Sequence, residues 1–413
     1  MKRSLYIALA SLLFMGVSCK EEGRLDHIDM SAPAPEQVYD VTVKPTPGGA
    51  ILKYKMPKDE NLLYVKAVYQ IETGAVHTAK ASCYEDSLVL EGFGEVKSYP
   101  VKIYSVGRNE KESAPVDQEV TPLTPSYLTA FESLQLKASF GGVSVSFKNP
   151  DRAALAIVLL GDTANTGEYT EFETFYTEAS MGSFPYRGLK EKEGKFAVYL
   201  RDRWEHYSST KEAVLTPLYE EEISKDKFKN AALPTDTYDP VENNYSAYSI
   251  DHLWDGVATD RNSMFATTKS APIPQWFTVD LGRTVTVSRV KLHHRGKGSR
   301  QEIQVYSGSN VKQFELYGSL SPNPDGSWDD SWTPLGTFNT TKYSGESPTL
   351  TEEDHQYACV QGVNYDLEES EFAPNPFVQV RYLRFKVLET FAGPSTSGSI
   401  WISELDVFGK EIK

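Results

Sequence analysis

Gln275-Trp276-Phe277-Thr278-Val279-Asp280-Leu281-Gly282 decides the fold of this chain, together with its far-downstream echo Ile400-Trp401-Ile402-Ser403-Glu404-Leu405-Asp406-Val407-Phe408-Gly409. Both runs alternate apolar with polar residues and stop at a glycine, the period-two pattern of a half-buried strand. Phe314-Glu315-Leu316-Tyr317-Gly318-Ser319, between them, is a third strand of the same kind. The pattern predicts one β-unit over residues 231–413.

Upstream the sequence repeats itself. Gly48-Gly49-Ala50-Ile51-Leu52-Lys53-Tyr54-Lys55-Met56-Pro57 aligns without a gap on Gly141-Gly142-Val143-Ser144-Val145-Ser146-Phe147-Lys148-Asn149-Pro150. A strand candidate precedes each Gly-Gly turn (Val38 to Val43, Ser133 to Phe140), and an apolar run follows each proline (Leu62 to Ile71, Ala154 to Leu160). Tyr99 to Tyr104 corresponds in kind to Phe196 to Leu200. Short strands at this spacing predict two β-sandwiches in tandem, over residues 37–122 and 123–230. Thr121-Pro122-Leu123-Thr124-Pro125 reads as a stiff, extended spacer between them.

These motifs carry three resemblances. The strand ending in Asp-Leu-Gly, the F-E-L-Y-G-S strand and the closing I-S-E-L-x-V-F-G strand together resemble the discoidin, or coagulation-factor C-type, domain, a galactose-binding-like jelly roll. The G-G-x-x-L-x-Y-x-x-P pattern with its Y-x-V-x-I-Y strand resembles fibronectin type III. The implied fold is all-β: two tandem β-sandwiches followed by a discoidin-like jelly-roll β-sandwich. The three-part layout resembles Bacteroidetes cell-surface lipoproteins of the polysaccharide-utilisation type. That resemblance implies a non-catalytic protein that captures poly- or oligosaccharide for an outer-membrane uptake system, with a glycan importer as neighbouring partner.

The N-terminus fits such a destination. Lys2 and Arg3 precede an apolar core, Leu5 to Val17, too short to span a bilayer, so residues 1–18 read as a secretory signal. Ser18-Cys19 resembles the cleavage site of a bacterial lipoprotein, although Gly16 stands where leucine is usual; the resemblance implies lipidation of Cys19 and a tether over 19–36. Lys20-Glu21-Glu22 either resembles the signal that sends such lipoproteins to the outer face of the outer membrane or is an ordinary charged tether. A formal charge of −15 with no basic stripe excludes nucleic acid as a partner. It also disfavours adhesion to an anionic membrane, leaving the lipid as the membrane contact. Cys83 and Cys359 fall in different predicted units and read as free thiols.

Catalytic signatures are missing. There is no G-x-S-x-G, no H-E-x-x-H, no phosphate loop and no dinucleotide fingerprint. The acidic pairs Glu352-Glu353 and Glu368-Glu369 sit in polar segments and read as solvated surface, so no enzyme is expected.

Two constellations remain, both implied by the discoidin resemblance. Trp254 to Phe265 resembles that family's calcium loop, which implies a structural calcium held by Asp255, Asp260 and Ser263 with Glu404 returning from the closing strand; calcium needs six to eight oxygens. The alternative is a loop tied by Asx-turn hydrogen bonds without a metal. On the ligand face, Val287 to Arg295 resembles the strand whose terminal arginine clamps adjacent sugar hydroxyls together with an asparagine, here Arg295 and Asn310. A planar guanidinium and an amide can satisfy a vicinal diol together. His294 is implied as a further donor, and Tyr306 and Phe391 are the expected exposed rings for a sugar's C–H face; Trp328 and Trp332 are weaker candidates, Trp332 reading as core. His293 alternates with His294, so one of the two is expected to face inward. The rival reading is a scaffold that docks an importer subunit or a host protein through the same face.

Overall fold

The computed structural model describes residues 28–72, 74–238, 248–367 and 378–413. Cys19, the signal segment, Lys20-Glu21-Glu22 and Glu368-Glu369 lie outside the described residues. What is described is an all-β chain of antiparallel sandwiches. Among the described residues no helix is long and apolar enough to cross a membrane.

The first sandwich is built from β1 (Tyr39–Thr46), β2 (Gly49–Lys55), β3 (Leu62–Gln70), β4 (Val76–Ser82), β5 (Ser87–Glu91), β6 (Tyr99–Gly107) and β7 (Val116–Val120). Its sheets run β1-β2-β5 and β4-β3-β6-β7. Alternation sets which side chains meet: Val65, Ala67 and Tyr69 of β3 and Tyr99, Val101 and Ile103 of β6 all point inward. Each fully buried side chain of this kind contributes about 1.5–3 kcal/mol.

The second sandwich opens with helix α1 (Ser126–Ser133), then β8 (Gln135–Ser139), β9 (Gly142–Lys148), β10 (Leu155–Asp162), β11 (Thr170–Thr177), β12 (Met181–Arg187), β13 (Gly194–Asp202) and β14 (Lys211–Leu215). Sheet orders β12-β9-β8 and β11-β10-β13-β14 reproduce those of the first, with the two Gly-Gly turns leading into β2 and β9. Ser133 belongs to the helix rather than to the strand expected there. Its hydroxyl donates to the Ala130 carbonyl and accepts the Lys148 N–H at 2.8 Å, which ends the helix, and the next strand starts two residues on, at Gln135.

Neither connection is a free spacer. Leu123 exchanges backbone hydrogen bonds with Thr46 and Gly48, so the Thr121–Pro125 segment is pinned to the first sandwich. Trp204, from the loop after β13, packs against the first core; Arg203 pairs with Glu91 at 2.5 Å, and the Tyr127 hydroxyl donates to the Gly94 carbonyl at 3.0 Å.

The third sandwich contains β15 (Glu221–Glu222), β16 (Lys229–Asn230), β17 (Phe265–Ala266), β18 (Gln275–His293), β19 (Val311–Ser319), β20 (Thr333–Asn339), β21 (Val363–Asp366), β22 (Gln379–Thr390), β23 (Trp401–Ile402) and β24 (Glu404–Glu411). The spine runs β15-β24-β18-β22-β19-β20. The two runs expected on either side of Asp280-Leu281-Gly282 are one long strand with a corner. Gln275–Asp280 pairs mainly with β22, and Val285–His293 with β24. Gly282 makes the corner at φ +66°, where a Cβ would stand 2.6 Å from the Lys227 side chain, so only glycine fits. Helix α2 (Glu352–His355), closed by a capping box between Thr351 and Asp354, and a π-helical turn (Gln356–Gly362) cover one face and bury Cys359. Cys83 and Cys359 are both free; burial raises the Cys359 thiol to about 11.

A buried charge cluster joins the second and third sandwiches. The Glu220 carboxylate accepts from Arg187 at 3.1 Å, from Arg289 at 3.2 Å through two of its nitrogens, and from the Ser288 hydroxyl at 2.6 Å. Arg187 also pairs with Asp366, and the Arg289 guanidinium lies 3.6 Å over the Phe408 ring.

Candidate functional site

The strand β18 ends at His293, and the next two residues face opposite ways. His294 turns inward: it is 1% exposed, and its ring meets Tyr306 at 5.0 Å and Phe391 at 5.9 Å. Its Nδ1 accepts the Tyr306 backbone N–H, and burial pushes its pKa down to about 3, so it is a neutral core imidazole. His293 is buried as well, between the Cys359 carbonyl at 2.7 Å and Asp406 at 2.9 Å. One histidine was expected to face inward; both are buried, the π-helical turn covering His293.

Three other expected ligand contacts are also spent internally. Tyr306 is 7% exposed and packs edge-on to Phe391 at 5.7 Å, while Phe391 is half-buried against the core. These rings support the site from behind instead of presenting a platform. Asn310 is fully buried: its Oδ1 accepts the Arg295 N–H at 2.7 Å, and its Nδ2 donates to the carbonyls of Gln304 and Ser307. Arg295 and Asn310 are therefore neighbours as expected, but Asn310 is a positioning residue whose amide is already satisfied. Trp332 is buried beside the buried Arg384, while Trp328 stays 40% exposed on the far side of the same guanidinium.

Arg295 faces outward and is different. Its guanidinium lies 4.5 Å over the Trp401 ring and has no hydrogen-bond or ion-pair partner among the described residues; its Nε is buried and unbonded. Burial lowers the guanidinium's proton affinity, as does nearby Arg261, against Tyr248 and Glu302 acting the other way. Together Arg295 and Trp401 wall a cavity of about 410 Å³ completed by Tyr248, Thr268, Lys269, Ser270 and Ser399.

The frame around this cavity is rigid. Ala266 pairs with Trp401, the Thr267 hydroxyl accepts the Ile400 N–H at 2.9 Å, and the Trp401 N–H donates to the Ser309 carbonyl at 2.8 Å. Trp401 was absent from the expected site, yet its signal was in the sequence. Ile400 and Ile402 on either side are buried, so the tryptophan between them occupies the outward phase of the strand.

Two larger cavities, about 540 and 600 Å³, lie where the first two sandwiches meet and beside Tyr176. Several of their charges are paired within the protein, Arg203 with Glu91, Asp202 with His206 at 2.8 Å and Arg201 with Glu205 at 3.8 Å, while Arg152 at the first is exposed to solvent. At the smaller cavity the guanidinium without an acceptor among the described residues, that of Arg295, is partly buried.

The residues expected to hold calcium are hydrogen-bonded within the protein. Among the described residues no group of three or more His, Cys, Asp or Glu side chains could hold a metal ion. Asp255 receives the His252 ring N–H at 2.5 Å, the Ser263 hydroxyl and the Val257 N–H; burial opposes its ionisation, but these donors hold its carboxyl below the ordinary value. Asp260 closes an Asx turn onto the Asn262 N–H. Glu404 pairs with the Lys225 ammonium and accepts the N–H groups of Gly256 and Val257. Donors are aimed at these oxygens, and the Lys225 ammonium places a positive charge beside Glu404. A structural ion at a hundred times its Kd would add about 2.7 kcal/mol of stability. Melting curves with calcium and with chelator are accordingly expected to coincide.

Three family models match, all described as domains of unknown function: DUF4959 over residues 35–122, DUF5126 over 123–226 and DUF5000 over 254–409. No curated protein matches the chain. Among solved structures the chain is similar to a SusE-like protein, BT2857, at 29% identity over 70% of this chain and 100% of that one, TM-score 0.41. It is similar to a family 89 glycoside hydrolase from Clostridium perfringens at 16% identity over 46% of this chain and 15% of that one, TM-score 0.27. A two-domain fibronectin type III segment of chicken tenascin matches at 14% identity over 44% and 99%, TM-score 0.22.

Proposed function

We propose that the chain is a non-catalytic glycan-binding protein whose third, discoidin-like sandwich holds a sugar unit between Arg295, Trp401 and the hydroxyls around them. One observation carries this reading: the Arg295 guanidinium is stacked on Trp401 and unpaired, at the wall of a cavity lined by Tyr248, Thr268, Ser270 and Ser399. Leaving such a group without an acceptor is costly unless a ligand supplies one. A pyranose offers both complements, an apolar C–H face for the indole and paired hydroxyls for the planar fork.

The remainder of the proposal follows from the chain's layout. Lipidation at Cys19 would anchor the protein at the outer membrane, facing the exterior. The two fibronectin-like sandwiches would hold the site away from the membrane, where a neighbouring importer receives the captured poly- or oligosaccharide. Affinity at so open a site is expected in the range of about μM to mM, or roughly 4–8 kcal/mol.

Affinity electrophoresis of the chain from Lys20 onward, through gels carrying different polysaccharides, tests the reading. Retardation by at least one glycan, lost on Arg295→Ala, is the expected result. Equal migration of wild type and variant through every gel would reject it and favour a protein-docking role for the same face.

A further inference from the structure

The cavity beside Trp401 has a charge character unlike the rest of the molecule. The chain carries a net −15, yet Arg295 and Lys269 line this cavity and no Asp or Glu occurs among its described lining residues. Four other cavities each include at least one carboxylate, from Glu91 and Asp151 at the first junction to Glu353 beside Tyr357. Lys269 is exposed and, like Arg295, forms no ion pair among the described residues. Surface lysines and arginines elsewhere are repeatedly neutralised: Lys97 by Glu95, Lys312 by Glu389, Lys386 by Glu315.

The nearby acid is already engaged. Glu302, which acts on Arg295 through space, takes the Arg300 N–H and the Gln304 amide, so it does not cap the guanidinium. Arg261 stands on the same side and adds to the positive potential at Arg295. Among the described residues, two unneutralised cations at the wall of a cavity without carboxylates amount to a trap for an anion. The fork geometry of arginine suits a planar carboxylate in two parallel hydrogen bonds, and Trp401 behind it keeps the guanidinium plane fixed.

We infer that the sugar unit recognised here carries a carboxylate: a uronic-acid residue of an acidic polysaccharide, its carboxylate on Arg295 with Lys269 at the cavity mouth and its ring against Trp401. This rests on the glycan-binding reading above and narrows it to a ligand class. Neutral sugars would give the guanidinium hydrogen-bond acceptors but leave both positive charges without a counter-charge. Chain binding should therefore weaken as salt is raised, because Lys269 is solvent-exposed and its contribution is screened over about 10 Å at 0.1 M salt.

The test compares gels loaded with polygalacturonate, alginate or hyaluronan against gels loaded with the same polymers after reduction of their carboxyl groups to alcohols. Wild type, Trp401→Ala and Lys269→Gln run side by side, the first variant separating site binding from charge retention by the gel. Retardation by an acidic polymer, about tenfold weaker for its reduced form and about threefold weaker for Lys269→Gln, is the expected result. Equal retardation by acidic and reduced forms, abolished in Trp401→Ala, would overturn the acidic-ligand inference and leave the glycan site standing. Retardation by neutral polysaccharides alone would do the same. Migration of Trp401→Ala identical to wild type in every gel would overturn both.

Discussion

Glu220→Ala is expected to destabilise the junction of the second and third sandwiches by about 3–5 kcal/mol, the cost of removing one partner from a buried ion cluster. The Glu220 side chain is 8% exposed and is shared by Arg187 and Arg289, themselves 15% and 11% exposed. Removing the shared carboxylate leaves Arg289 with Asn364 and the Phe408 ring, and Arg187 with Asp366, with one positive charge in excess. Ser288 loses its acceptor too. Differential scanning calorimetry should show the transitions of these two sandwiches shifting down by roughly 6–20 °C, since about 1 kcal/mol moves a unit of this size by 2–4 °C. The transition of the first sandwich, which shares no residue with the cluster, should stay in place. A thermogram unchanged by Glu220→Ala would mean that water reaches the cluster and screens it.

Trp401→Ala is expected to have the largest effect on ligand binding. The indole has two roles at once: it supports the Arg295 guanidinium 4.5 Å above it and forms part of the cavity wall. Losing a partly desolvated cation–π contact together with the aromatic platform should cost about 2 kcal/mol, roughly thirtyfold in Kd. Trp401→Phe, which keeps a smaller ring, should retain part of that affinity. Neither variant should unfold the chain, because Trp401 is half-exposed while Ile400 and Ile402 carry the core on either side. Isothermal titration with the retained glycan, beside a circular-dichroism melt, reads both quantities. Wild-type affinity in Trp401→Ala would place the ligand elsewhere on the chain.

Both effects trace to positions where polar groups were removed from water. At Glu220 the partners are complete, so subtraction is expensive. At Arg295 one partner is absent, so addition is favourable. The same test of satisfaction sorts other candidates: Asn310 and Glu404 have their hydrogen-bonding groups engaged by the protein and so hold the frame.

By itself the sequence determined the all-β class, the tandem repeat and the strands that build the site, since alternation and glycine turns are local signals that survive into the folded chain. Arg295 and Asn310 were legible for the same reason, as residues flanking strand ends. Only the tertiary structure decided which neighbours those residues meet. Burial of both His293 and His294 depends on a π-helical turn some 60 residues away in sequence, at Gln356–Gly362. The place of Trp401 depends on β23 arriving beside Asn310, and the engagement of Glu404 depends on Lys225 reaching it from far along the chain. Each is a contact between residues far apart along the chain. Which polar group is left without a partner is a property of the completed packing, and it is that property which marks the cavity at Arg295.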